Sequence, residues 1–184
     1  VDRLPLAIEM AAARLPTLGV EDLEDLLTNR LELLRSVDRT SVERHRTLDA
    51  LIAWSEDLLA DDERDLLAAM SVFAGPVAAA DIAAVVDFDV AELTTGPLAG
   101  LVDQSLVVAD TTRQPTRYQL LQTVRVRAAR RLPAGLEARH ASYVTDLVAS
   151  GDRQLRTAGE AAAAAQLDAL RAEARAAHRW ALSL

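Results

Sequence analysis

Between Asp61 and Leu132 the apolar spacing is helical, turns strand-like and becomes helical again, and this switch constrains the fold more than any other feature of the chain. Leu66, Leu67, Met70 and Phe73 recur at helical intervals behind Asp61 and Asp62, one of which is expected to cap the helix. Gly75-Pro76 ends that run. A short helix is predicted over 79–86. A second helical stretch is predicted over 90–104, interrupted at Gly96-Pro97, because proline lacks a backbone donor and clashes with the preceding turn. Two β-rich runs follow, Leu106-Val107-Val108 and Tyr118-Gln119-Leu120. The polar stretch from Asp110 to Thr116 between them reads as a hairpin loop. A closing helix is predicted over 122–132, with Pro133 as a boundary.

Three helices, a two-stranded wing and a closing helix make the winged-helix order, placed at residues 61–133. A small helical bundle is expected before it, over 1–60. Leu4, Ile8, Ala11 and Leu15 lie on one helical face, Leu23, Leu26 and Leu27 on another, and Thr47 caps a third carrying Leu48, Leu51, Ile52, Leu58 and Leu59. After it, residues 134–184 read as a helical hairpin. Leu136, His140, Tyr143 and Leu147 form one stripe, and Leu167, Leu170, Ala174 and Trp180 part of the other. Such a pair is expected to start a TPR-like repeat region, whose units need neighbours to cover their faces. With two each of Trp, Tyr and Phe, the core must be Leu, Ala and Val, which favours packed helices. The expected class is mainly α.

Charge narrows the functional classes. The net charge is −8, and all 20 basic residues are arginine, so a general nucleic-acid binder is disfavoured. The balance is uneven: 61–110 holds ten acids and one arginine, 111–184 six acids and twelve arginines. There is no cysteine, hence no disulfide or thiolate metal site, which fits a cytoplasmic protein. No apolar run reaches the roughly 18 residues of a membrane span, and Val1-Asp2-Arg3 opens no signal peptide. The chain begins as though cut from something longer. His45, His140 and His178 are scattered without partners at metal-ligand spacing, so no metal is expected, and His140 is expected to be a packed histidine. Ser55 and Ser105 sit in no nucleophile context, and Trp54 and Trp180 are expected to anchor helix packing. No catalytic residue is assigned, and no enzyme activity is expected.

Three stretches carry a resemblance. The first is Leu4-Pro5-Leu6-Ala7-Ile8-Glu9 with Ala11-Ala12-Ala13-Arg14. The second is Arg46-Thr47-Leu48, Leu51-Ile52, Trp54-Ser55 and Leu58-Leu59, leading into Glu63-Arg64 and Ser71-Val72-Phe73-Ala74-Gly75. The third joins Leu101-Val102-Asp103-Gln104-Ser105-Leu106-Val107 to Tyr118-Gln119-Leu120-Leu121-Gln122-Thr123-Val124-Arg125. Together they resemble the ATPase module of bacterial STAND/NB-ARC regulators of the AfsR/LuxR type, with Arg3 where that family usually has glycine. The resemblance implies a non-catalytic regulatory segment that clamps a nucleotide between an upstream P-loop domain and downstream helical repeats of the same protein. Such a segment would relay the nucleotide's state. ADP or ATP with Mg would belong to the parent protein and no cofactor to this segment alone. Pro5, with Leu4, would lie against the purine. Leu121 stands at the position of the phosphate-contacting histidine of the eukaryotic relatives, so that role is replaced. The phosphate loop G-x-x-x-x-G-K-[ST] does not occur, and with no lysine none could.

Two rivals remain: a winged-helix DNA-binding transcriptional regulator, and a helical scaffold that recruits another protein. Arg117, Arg125, Arg127, Arg130 and Arg131 cluster around the wing and could meet DNA phosphates, but an interdomain salt-bridging face is the favoured reading. The segment in the recognition position, 97–104, offers Asp103 and no basic residue. DNA binding by this segment is therefore not expected, nor is a membrane.

Overall fold

In the computed structural model, which describes residues 52–155 and 160–184 together with positions 12, 15, 19 and 20, the acidic run at 61–63 opens the first helix of the winged-helix segment. The expected bundle over 1–60, with Leu4, Pro5 and the Thr47 cap, lies outside the described residues apart from 52–60, of which 52–57 are helical. Helix α1 spans Asp61–Met70, and the cap position belongs to Ala60 rather than to Asp61 or Asp62. Alanine has no side chain to cap with. Glu63 reaches back instead, its Oε2 accepting from the Ala60 N–H at 2.9 Å, while Asp61 pairs with Arg64 at 2.7 Å. The three acids of the first turn also oppose the positive end of the helix dipole.

Helix α2, Ala79–Val86, falls where the sequence predicts it and ends at Asp87 in the left-handed conformation. Helix α3, Val90–Thr95, is capped by Asp89, whose Oδ1 accepts from the Ala91 and Glu92 N–H groups at 2.8 and 3.0 Å. Helix α4, Pro97–Asp103, restarts at Pro97 as expected. Between them Gly96 passes so close to the Glu92 carbonyl that a Cβ there would sit 2.8 Å from its oxygen, so the turn between α3 and α4 needs glycine.

The two-stranded wing is as expected, and a third strand, short and from before α2, joins its sheet. Strand β1 is Val77–Ala78, β2 is Val107–Asp110 and β3 is Arg117–Leu120, in the antiparallel order β1-β3-β2. Val77 faces Tyr118, and Val107 faces Leu120. Two residues are too few to show a period of two, which is why β1 left no trace in the pattern. At the end of β2, Asp110 accepts from the Thr112 hydroxyl and N–H, and Thr112 with Arg113 holds its carboxyl below the usual range. The predicted closing helix splits into α5, Gln122–Ala128, and a 3₁₀ turn over Ala129–Arg131.

Helix α6 runs from Leu136 to Gln154, followed by α7, Glu160–Ala169, and α8, Arg171–Ala181. One helix is expected where α7 and α8 stand; the chain bends at Leu170, and both pieces pack on α6. One core runs from Ile52 and Leu59 through Leu67, Ile82, Leu101 and Val124 to Leu136, with Met70 and Phe73 inside it. It is the aliphatic core the scarcity of aromatics requires. A second, smaller cluster joins Ala141, Val144 and Ala177, against which Trp180 packs. Trp54 is buried as well. Among the described residues no helix is long and apolar enough to cross a membrane.

Candidate functional site

The turn after α1, residues 71–75, is the point on which the flanking elements converge. Ser71 closes the helix by donating its hydroxyl to the Ala68 carbonyl at 2.6 Å, and Phe73 is buried. That leaves the backbone of Ala74 and Gly75 to be satisfied by side chains from distant parts of the chain. Arg125 of α5 donates to the Ala74 carbonyl at 2.7 Å and the Phe73 carbonyl at 3.3 Å, and also bonds the Gln122 side-chain oxygen. From the other side Glu173 of α8 accepts from the Ala74 N–H at 2.9 and 3.0 Å and from the Gly75 N–H at 2.8 Å.

Glu173 is buried, with its side chain 8% exposed, and its Oε2 lies 2.9 Å from His140 Nε2 on α6, whose side chain is 3% exposed. Phe73 presents its ring edge-on to His140 at 5.2 Å. His140 is therefore the packed histidine the sequence predicts, and it has a partner the sequence does not reveal. Glu173 and His140 are 33 positions apart on two helices, and only the packing of α8 on α6 brings them together.

On the wing side of the same turn is a cleft of about 200 Å³, lined among others by Phe73, Gly75, Tyr118, Leu121, Gln122 and Arg125. Leu121 sits at the cap position of α5, half-buried and packed against the core. Polar side chains of Tyr118, Gln119, Gln122 and Arg125 line the cleft with it. Pro5 and Leu4 lie outside the described residues.

Two further connections fix the winged helix in place. Asp81 of α2 accepts from the Ala78 N–H at 3.0 Å, from the Tyr143 hydroxyl of α6 at 2.7 Å and from Arg117 of β3 at 3.4 Å. Burial, and then the bond to Asp81, push the Tyr143 hydroxyl well above its usual value. Arg127 of α5 pairs at 2.8 Å with Glu56, whose side chain is only 8% exposed. Of the five arginines grouped by the sequence, Arg117, Arg125 and Arg127 are thus spent on internal contacts, while Arg130 and Arg131 are exposed. The α3–α4 face carries exposed Asp89, Glu92 and Asp103 and no arginine, while Pro97, Leu98 and Leu101 point into the core. Among the described residues no group of three or more His, Asp or Glu could hold a metal.

The order of helices and strands, with β1 between α1 and α2 and the β2–β3 wing after α4, is matched by a family model described as a winged helix-turn-helix domain, over residues 59–133. Residues 59–133 are a winged helix-turn-helix domain. The chain carrying this winged helix is 40% identical over 157 residues to proteins of Mycobacterium tuberculosis and Mycobacterium bovis named as candidate HTH-type transcriptional regulators. That match covers 82% of this chain and 18% of theirs, so the chain spans about a fifth of the length of these relatives. An uncharacterized Mycobacterium tuberculosis protein is 37% identical over 142 residues, covering 75% of this chain and 36% of its own. Among solved structures the chain is similar to a STAND protein with a tetratricopeptide repeat sensor from Pyrococcus horikoshii. The TM-score is 0.48 and the identity 19%, covering 80% of this chain and 22% of that one, too distant to fix how these parts are arranged.

Proposed function

We propose that this chain is an internal segment of a transcriptional regulator, in which the winged helix works as a relay between modules instead of reading DNA. The observation that supports this most is the α3–α4 face. A recognition helix meets a polyanion, yet here the exposed charges are Asp89, Glu92 and Asp103, with no basic residue beside them. Three of the arginines around the wing, Arg117, Arg127 and Arg125, are turned inward onto Asp81, Glu56 and the Ala74 carbonyl. A winged helix whose charges are spent on its neighbours is suited to transmit their arrangement, which is what a switch between two packings requires.

The finer reading is a nucleotide clamp. In the intact regulator ADP or ATP with Mg would sit against a P-loop domain upstream, with Pro5 and Leu4 on the purine and the cleft at Leu121, Gln122 and Arg125 facing the phosphates. Arg125 supplies the donor there in place of a histidine. Arg125→Ala in the intact regulator is expected to weaken ADP binding, and unchanged ADP affinity would remove the cleft from this role.

The second reading, DNA binding by this winged helix, is supported by the family match and by exposed Arg113, Arg130 and Arg131 at and behind the wing. Fluorescence anisotropy of the 184-residue chain with a pool of random duplexes at about 50 mM salt separates the two. No saturable binding is expected. Binding that falls steeply with salt and disappears when Arg113, Arg130 and Arg131 are all replaced would transfer the assignment to DNA readout.

A further inference from the structure

Beside the 71–75 turn, sharing Phe73, Ala74 and Arg125 with the wing cleft, a groove of about 360 Å³ opens between the winged helix and α8. Arg125 lines it from α5, and Arg175 and Arg179 line it from α8, with Ala172 and Ala176 between them and Ser71 to Ala74 forming the far wall. No carboxylate lines it. Glu173, the nearest acid on the same helix, is turned inward and occupied by the Ala74 and Gly75 N–H groups and His140. Arg175 and Arg179 are one helical turn apart and exposed, an arrangement of like charges that costs helix stability unless an anion offsets it. The alanines at 172 and 176 keep the floor of the groove low, so the guanidinium groups flank an open channel.

We infer that this groove is a binding site for a compact polyanion carrying two or more phosphate groups, held between α5 and α8. Guanidinium forks match phosphate oxygens in pairs; Arg175 and Arg179 offer two exposed forks, and Arg125, whose terminal nitrogens already hold the Ala74 carbonyl and Gln122, adds its positive charge to the groove. The volume is several times that of a water molecule, roughly 30 Å³, and leaves room for a di- or triphosphate. Occupancy acts on the junction itself. Ala74 receives Arg125 on its carbonyl and gives its N–H to Glu173, so an anion bridging Arg125 to Arg175 and Arg179 would tighten α8 on the winged helix at one residue. This site goes beyond the proposed relay function; it shares Arg125 with the wing cleft, and Arg175 and Arg179, which line this groove alone, separate the two.

The test is a thermal shift and a tryptophan fluorescence titration of the Trp54→Phe form of the 184-residue chain, in which Trp180 alone emits, at fixed ionic strength, with sodium tripolyphosphate as the probe and sulfate as the control. Tripolyphosphate is expected to give a saturable rise in Tm that sulfate does not match. Arg175→Gln with Arg179→Gln is expected to weaken it by about tenfold, the loss of one strong charge-assisted hydrogen bond or more. Arg130→Gln with Arg131→Gln, which removes the same charge elsewhere, is expected to leave it within about twofold. No saturable shift, or equal losses in the two double variants, overturns the site. ATP binding no weaker than tripolyphosphate supports recognition through the phosphates, whereas binding of ATP alone overturns it. Arg179→Gln singly, judged by the same criterion, serves if the double variant does not fold.

Discussion

Replacing Glu173 by alanine should detach α8 from the winged helix at a cost that can be worked out from its contacts. The carboxylate takes three donors, the N–H groups of Ala74 and Gly75 and the ring nitrogen of His140, at 2.8 to 3.0 Å, in a site where it is 8% exposed. A hydrogen bond to a charged group contributes about 1.5–3 kcal/mol, and a buried donor left without a partner costs about 1–3 kcal/mol. These are two views of the same loss and do not add, and water can enter the space left by the side chain. The expected destabilisation is therefore about 3–5 kcal/mol, the range for breaking one side of a buried pair. Glu173→Gln keeps a carbonyl oxygen for the backbone donors and lowers only their strength, so about 1–2 kcal/mol is expected. Urea unfolding followed by tryptophan emission measures both, since Trp54 is buried and Trp180 packs on the Ala141, Val144 and Ala177 cluster next to the junction. Hydrogen exchange at Ala74 and Gly75 should accelerate in the alanine variant while that of Leu67, deep in α1, changes less. A loss below about 1 kcal/mol for Glu173→Ala, with unchanged exchange at Ala74 and Gly75, would refute the idea that this carboxylate holds the two parts together.

Three other substitutions probe the remaining connections. Arg127→Ala leaves Glu56 buried without its partner, but Arg127 is itself 27% exposed, so about 1–3 kcal/mol is expected in the same urea assay, with no change refuting the bridge. Tyr143 is held in its neutral form by burial and Asp81, so its raised value contributes stability that is complete below the unfolded value near 10 and is lost as pH climbs above it. Tyr143→Phe should lose stability at neutral pH and flatten the alkaline limb of the pH profile. Gly151→Ala sets two effects against each other. Alanine in a helix gains about 1 kcal/mol, but the new Cβ would meet Leu167 at 2.7 and 2.9 Å, and overpacking costs about 1–3 kcal/mol. A net loss is expected, and a more stable variant would contradict the packing of α6 on α7.

What the sequence made legible follows from how local each signal is. The helices at 79–86 and 90–103 and the break at Gly96-Pro97 were readable because turn residues and apolar spacing sit next to each other in the chain. The two-residue strand β1 was not, since its pairing with β3 is 40 residues away and has no period of its own. The bend at Leu170 was missed for a related reason: the residues around it are all good helix formers, and only packing of α7 and α8 on α6 separates them. His140 reads as packed from its stripe, but nothing in the spacing around Glu173 singles it out. A carboxylate aimed at the backbone of a turn 98 residues earlier leaves no mark in the local pattern.

The contacts that sequence reasoning missed are the ones on which the relay proposal depends. Glu56 grips α5 from the N-terminal side, Tyr143 grips α2 through Asp81, and Glu173 grips the 71–75 turn from the C-terminal side. Each uses a polar or charged group of the winged helix that a free-standing DNA-binding domain could otherwise offer to solvent or to phosphate. Apolar packing alone would hold these parts together without fixing their register, because it has no direction. A carboxylate bonded to two successive N–H groups has one geometry in which all its bonds form, so a shift of α8 by a single helical residue would break them together. An arrangement that is satisfied completely or not at all is the kind of element through which a change on one side of the winged helix can be felt on the other.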